Sequence, residues 1–522
     1  MKKALSVAIL AVLASSASAE MIFRRGNGSE PQILDPQISE GVPESNIQRD
    51  LFEGLVAEDA AGELVPGLAK SWDISADGLV YTFHLQEQNW TDGSPFTAED
   101  VVFALRRLVD PATGSKYSFI AYPIKNAKEI TEGEIKDSSE LGVKAIDAHT
   151  VEITLNAPTP YFLGLLTHSS TYPVPKAVVE KHGKEWTRPE NIVSSGPFKM
   201  KDWVLQSHIT LEKSDTYWDK AAVKLDQVIF YPTEDQNSEL KRYRAGELDW
   251  TNEIPNDQLK WIRENLAEEL KIGDYLGTYY YGLNLSKAPF KDNLKLRQAL
   301  SLAIDRNILT EKVTGAGEKA AYTIVPPGVM HYEHYVPEYA SWPRDKQIAE
   351  AQRLYAEAGY GKDNPLKVEL LYNTNENHKK IAVAVSGMWK QVLGVQTEMT
   401  NQEWKVYLQT RREKNTQIFR AGWIGDYNDP YTFLEMFQAG GGLNDVNFAQ
   451  SEFDELLAQA AKEQDLDARG KILNQAEQMF TDDFAILPIY SYVSKRLVKP
   501  YVKGYEINIM DHSRSKYIYL EK

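Results

Sequence analysis

The chain has 522 residues, a formal net charge of −16 and no cysteine, at 43% hydrophobic and 25% charged residues. That length is enough for two or three packed domains. The missing cysteines exclude disulfides, thiolate metal sites and cysteine nucleophiles together, and the acidic balance argues against nucleic acid and anionic membrane surfaces as partners.

The first 19 residues read as a secretory signal. Lys2 and Lys3 form a basic start, Ala4 to Ala14 an apolar run, and Ala17-Ser18-Ala19 a small-residue site for cleavage after Ala19. The apolar run is shorter than the roughly 20 residues that span a bilayer, so export is expected rather than membrane insertion. Loss of the two lysines carries the charge from −16 to −18. A soluble, disulfide-free protein then relies on packing. The 28 tyrosines and 11 tryptophans suit either a core or a binding cleft, and any one of them is better read as core.

Strand and helix signals alternate almost throughout, which predicts an α/β chain. Leu79 to Leu85 and Val151 to Leu155 alternate as half-buried strands do. Thr97-Ala98-Glu99-Asp100 resembles a capping box and opens a helix with Val101, Leu105 and Leu108 on its apolar face. Leu296, Leu300 and Ile304 mark another helix.

Residues 365–430 carry the strongest pattern. Leu366 to Tyr372 predicts a strand and Asn373 to His378 a polar turn. Ile381, Val385, Met388 and Val392 predict a helix ended by Gly394, and Val395 opens a second, parallel strand. Another strand, Thr416 to Ala421, runs into Gly422-Trp423-Ile424-Gly425-Asp426. Ligands of open α/β sheets bind beyond the carboxyl ends of strands, where His378 and Asp426 fall. Taken locally, Asp426 is equally consistent with an Asx turn or helix cap before Asp429-Pro430, and Arg420 with Trp423 equally with a structural stack.

Catalytic motifs are missing: no GxSxG, HExxH, Walker loop or GxGxxG follows a strand. His331-Tyr332-Glu333-His334 lacks a third metal ligand at a sensible spacing, and Gly440-Gly441-Gly442 lacks the context of a phosphate cradle. No catalytic residue, metal or cofactor is therefore assigned.

From about residue 22 onward the chain resembles the oligopeptide/dipeptide-binding proteins of ABC importers. The resemblance rests on Asn27-Gly28-Ser29-Glu30, Leu34-Asp35-Pro36, Glu40 to Asn46, Arg49 to Leu55, Trp90-Thr91-Asp92-Gly93, Arg242 to Asp249 and Arg297-Gln298-Ala299-Leu300. Asn401-Gln402-Glu403-Trp404 matches the oligopeptide-directed branch, and Arg420-Ala421-Gly422-Trp423 with Asp426-Tyr427-Asn428 is the most specific match.

The resemblance implies a three-domain α/β periplasmic binding protein with mixed sheets that hinges shut over a cleft. Its expected division is a discontinuous domain I of residues 20–52, 177–276 and 493–522, domain II of 53–176 and domain III of 277–492. It implies a monomeric periplasmic receptor, not an enzyme, that takes short extended peptides to an inner-membrane ABC permease. The alternatives are murein peptide, metal chelate, haem or signalling peptide on the same fold, or, less well supported, a periplasmic hydrolase.

By the same resemblance, Asp426 pairs with the ligand's α-ammonium beside the Tyr117 hydroxyl. Arg420, Arg411 and His378 receive its carboxylate. Strand edges near Val42 and at Gly422 to Ile424 support its backbone, while Trp404, Trp423, Glu40 and Tyr280 line pockets. Two departures stand out: Gly277 and Ile424 occupy positions of a cysteine pair in some relatives, and Thr314 that of a carboxylate-receiving lysine.

Overall fold

The computed structural model describes residues 20–329 and 331–522, so the secretory signal read at 1–19 lies outside the described residues. Three larger sheets organise the chain. In the first, Ile22–Gly28 pairs parallel with Gln227–Pro232, which is followed by antiparallel His208–Lys213 and Phe198–Val204. The C-terminal residues return to this sheet. Phe23, Trp250, Val498 and Leu520 share one apolar core, and Arg25 donates to Ser513 Oγ at 3.1 Å.

The second sheet is antiparallel, ordered 69–74, 80–85, 150–154, 143–147. Its strand Val80–Leu85 buries every second residue, as the alternating sequence predicts. The helix Ala98–Val109 carries the capping box: the Thr97 N–H donates to the Asp100 carboxylate at 3.0 Å. Its Val101, Leu105 and Leu108 are buried in the core beneath that sheet.

The third sheet has six strands, ordered Lys319–Ala320, Ile486–Leu497, Leu270–Leu283, Ile418–Ile424, Lys367–Asn373 and Gln396–Gln402. The last two are parallel, in register from Lys367 opposite Gln396 to Asn373 opposite Gln402, and Glu376–Leu393 connects them. Gly394 ends this helix at φ 77°, a conformation without steric penalty only for glycine. The polar turn is shorter than expected because Asn375 caps the helix, its side chain accepting the His378 N–H at 3.1 Å. His378 therefore sits in the first helical turn.

Ile418–Ile424 pairs with Leu270–Leu283 along its whole length, from Gly277 opposite Ile424 to Leu283 opposite Ile418. On its other side it meets Lys367–Asn373 only at Ile418 and Phe419. From Arg420 to Ile424 this edge has no strand partner among the described residues, although the Arg420 carbonyl accepts the Tyr407 hydroxyl. The Gly425 N–H donates to Leu276 at 2.8 Å, so by strand alternation Gly422 and Ile424 turn their backbone groups toward that open edge.

Val42 corrects an expectation. It does not lie on a strand edge but opens the helix Val42–Leu51, for which Gly41 is the N-cap. Pro43 and Glu44 in the first turn explain this, since a fixed φ and a negative charge both favour a helix start.

Candidate functional site

A cleft of about 280 Å³ lies where the third sheet faces Asn27 to Ser29 and the segment from Glu40 to Asn46. Asp426 lies two residues past the end of Ile418–Ile424 and forms one end. Its backbone N–H donates to Thr432 Oγ1 at 3.0 Å, and its Oδ1 lies 3.4 Å from His168 Nε2. His168 Nδ1 accepts the Ser170 N–H at 3.3 Å, which in the neutral ring leaves the proton on Nε2. Burial pushes Asp426 up to about 8, with Thr432 and Arg49 opposing only in part. Burial, then Arg49 and His512, hold His168 down at about 3, so it is neutral at pH 7.

Tyr117 completes this end, stacked on His168 at 4.6 Å and on Trp423 at 6.2 Å. Arg49, the nearest guanidinium, is engaged elsewhere. Its Nη2 lies 2.6 Å from His512 Nε2, and His512 Nδ1 lies 2.7 Å from Glu58. Asp426 thus has no Lys or Arg within ion-pair distance among the described residues.

Arg420 forms the other end. Its guanidinium donates to the Tyr492 hydroxyl at 2.5 Å and to Asn373 Oδ1 at 3.4 Å, and it stacks on Tyr279 at 4.8 Å. Among the described residues no carboxylate pairs with it, and its Nε is buried without a partner. An arginine keeps its charge in such a place, so the site holds an unbalanced cation. His378 stands beside it in the first turn of an 18-residue helix, whose dipole adds to the positive field. Burial, then Arg420, depress His378 far below its usual range, and its Nδ1 has no partner.

The cleft brings together Asp426, Arg420, His378, Tyr117, Trp404, Trp423, Gly422, Ile424, Glu40 and Val42. Glu40 is already paired with Arg412. Two expected residues do not line it. Arg411 is neutralised by Asp445 at 2.6 Å and stacks on Phe419 at 4.9 Å. Tyr280 is 2% exposed and packs toward Phe437 at 6.3 Å. It lies opposite Ala421, on the face away from Arg420, because neighbouring strand residues point to opposite sides. Thr314 is bonded to Thr310 within its own helical turn, away from the cleft. Gly277 and Ile424 are direct cross-strand partners.

His168, Arg49, His512, Glu253 and Tyr492 were not anticipated as lining residues. Only Arg49 falls within a segment that carried the resemblance; the others reach the cleft through the tertiary fold, as Tyr492 does by meeting Arg420 across 72 positions, for which local sequence gives no signal.

Three sheets closing on a cleft with an unbalanced acid at one end and an unbalanced guanidinium at the other define a ligand-enclosing receptor fold. Residues 63–445 match the bacterial extracellular solute-binding proteins, family 5 middle, and the chain belongs to that family. It is 44% identical over 503 residues to the periplasmic oligopeptide-binding protein OppA of Escherichia coli (strain K12), covering 95% of this chain and 92% of that one. The structure of Haemophilus influenzae OppA in complex with RPPGFSPFR superimposes with a TM-score of 0.94 at 40% identity, over 97% of this chain and 99% of that one. The Escherichia coli murein tripeptide binding protein MppA gives 0.94 at 40% identity, over 97% and 99% of the two chains. An unliganded open form of MppA gives only 0.66 at the same identity, over 96% and 98%. A drop at constant sequence and coverage reflects rigid-body displacement, so the parts are not arranged here as in that open form. No helix among the described residues is long and apolar enough to cross a membrane.

Proposed function

We propose that this chain is an exported periplasmic receptor that captures short peptides in extended form and hands them to an ABC import permease. The carrying observation is the open strand edge from Arg420 to Ile424, bounded by an unpaired buried acid at Asp426 and an unpaired guanidinium at Arg420. An extended peptide satisfies all three at once. Its backbone adds a strand to the edge, its ammonium meets Asp426 and its carboxylate meets Arg420, which binds carboxylates through a planar fork. The strand from Arg420 to Ile424 spans about 13 Å, and Asp426 lies two residues beyond it. Less the reach of two side chains, that separation suits a peptide rather than a single amino acid.

In this reading residues 1–19 are removed on export and the receptor acts as a monomer. Residues 20–52, 177–276 and 493–522 form one domain, 53–176 a second and 277–492 a third, hinged about the cleft. His378 contributes a neutral hydrogen-bonding group to the carboxylate end, while Arg411, held by Asp445, supports the wall behind it.

The chain acts as a receptor rather than a hydrolase. Ser170, His168 and Asp426 do lie in a row, with Ser170 Oγ 2.8 Å from His168 Nδ1 and His168 Nε2 3.4 Å from Asp426 Oδ1. Ser170 is only 1% exposed and does not line the cleft, so its hydroxyl has no route to a bound carbonyl. Calorimetry with trialanine and with its N-acetylated, C-amidated form tests the reading. The free peptide is expected to bind and the blocked one to bind at least a hundredfold more weakly; equal affinities would refute it.

A further inference from the structure

Behind the carboxylate end the cleft adjoins a smaller chamber of about 90 Å³, and Glu253 lines both spaces. The other charges on the chamber walls are balanced internally: Lys495 pairs with Glu318 at 2.5 Å and Arg496 with Asp511. His378 is neutral. Glu253 accepts a hydrogen bond from Gln236, but among the described residues no Lys, Arg or His stands within ion-pair distance of it. The chamber therefore carries one uncompensated negative charge.

Glu253 belongs to the Arg420 end. Burial, reinforced by the Glu253 carboxylate against the opposing Arg420, pushes the Tyr492 hydroxyl up to about 12, and that hydroxyl is the one Arg420 binds. The walls between are aromatic, with the Tyr275 and Tyr492 rings 5.9 Å apart and Tyr490 5.4 Å from Tyr492. Such a slot suits a long side chain with an apolar stem and a cationic head.

We infer that Glu253 is a specificity-determining residue that pairs with a basic side chain near the ligand's carboxyl end, so that peptides ending in Lys or Arg are preferred. This rests on the peptide-receptor reading above. With the ligand carboxylate on Arg420, a cation entering the chamber balances Glu253, whereas an anionic side chain meets it with like charge.

The test is calorimetry with Ala-Ala-Ala, then Ala-Ala-Lys, Ala-Ala-Gln and Ala-Ala-Glu, the Ala-Lys-Ala and Lys-Ala-Ala isomers, and Ala-Ala-Ala-Lys against Ala-Ala-Ala-Gln. Lysine in the last or penultimate position is expected to bind about tenfold tighter than glutamine, with glutamate weaker than both and the gap narrowing with salt. In Glu253→Gln the Lys/Gln ratio should fall to about one, and Glu253→Asp should keep a preference for lysine. Equal Lys and Gln affinities in the unaltered protein, a preference only at the first position, or a ratio unmoved in Glu253→Gln would overturn the inference. Failure of every peptide to bind would overturn the peptide reading itself, and this inference with it.

Discussion

His168 Nε2 stands 3.4 Å from Asp426 Oδ1, across 258 positions of sequence, on a ring that burial keeps neutral at pH 7. A neutral imidazole thus stands where a cation would be expected, and the acid it faces is left for a ligand to charge-balance. That relationship governs the first two predictions.

Asp426→Ala removes the acid that faces the cleft at its end. Loss of a buried, hydrogen-bonded charge partner costs about 2–5 kcal/mol, so trialanine should bind at least thirtyfold more weakly by calorimetry. The N-acetylated peptide, already lacking the ammonium, should lose far less. Ser170→Ala should leave affinity within about twofold.

Peptide binding should release a proton. The free Asp426 carboxyl sits at about 8, and the ammonium stabilises only its ionised form, so below pH 7 roughly one proton leaves per peptide bound. Calorimetry in buffers of different ionisation enthalpy measures it, and affinity should rise with pH until the ligand's own amine titrates near 8. The ligand-free fold responds oppositely. Asp426, raised from 3.8 to about 8, adds stability that is full below 3.8 and lost as pH rises through 8. His168, lowered from 6.5 to about 3, removes stability as pH falls from 6.5 toward 3. Between pH 6.5 and 8 the Asp426 contribution changes while that of His168 does not. Glu239, Glu44 and Glu477, raised to about 8, 7 and 7, act in the same sense, so the Tm of the free protein should fall there, and more shallowly in Asp426→Asn.

Arg420→Ala should weaken a peptide with a free carboxylate by at least about thirtyfold, while a C-amidated peptide loses little. Arg420→Lys should recover only part of the loss, because a lysine cannot reproduce the fork that reaches Tyr492 and Asn373 together.

Tyr161 is held between the Tyr427 ring, at 5.3 Å and 1° from parallel, and the Arg469 guanidinium at 4.5 Å. It does not line the cleft but fastens residues of the second-sheet region to the loop after Asp426. Tyr161→Ala should favour opening and lower peptide affinity about three- to tenfold. Small-angle scattering should show a larger radius of gyration for the variant at subsaturating peptide.

Gly196 has no room for a side chain. An added Cβ would meet the Leu51 carbonyl carbon and the Phe52 nitrogen at 2.7 Å, all backbone, where the Gly196 N–H also donates to Leu51 at 2.8 Å. Gly196→Ala should cost about 2–4 kcal/mol by urea denaturation.

Much of the fold was legible locally. Alternation exposed Val80–Leu85, a capping box opened Ala98–Val109, and Gly394 ended the helix that joins two parallel strands. Each is a matter of backbone preference and nearest neighbours. The placement of Asp426 beyond a strand end was equally readable, since topology puts ligands there. The Val42 helix was readable too, in Gly41, Pro43 and Glu44, although the resemblance pointed to a strand edge.

The sequence by itself therefore determined the alternation of elements and one anchor of the cleft. Which basic residue is free was decided only by folding: Arg411 and Arg420 are alike in sequence, but Asp445 returns to neutralise the first and, among the described residues, no carboxylate pairs with the second. Tyr280 was undecidable for a related reason. Both faces of its strand are buried, so no polar contrast marks which parity faces the cleft. Charge balance and side-chain direction depend on partners distant in sequence, and those partners meet only in the tertiary structure.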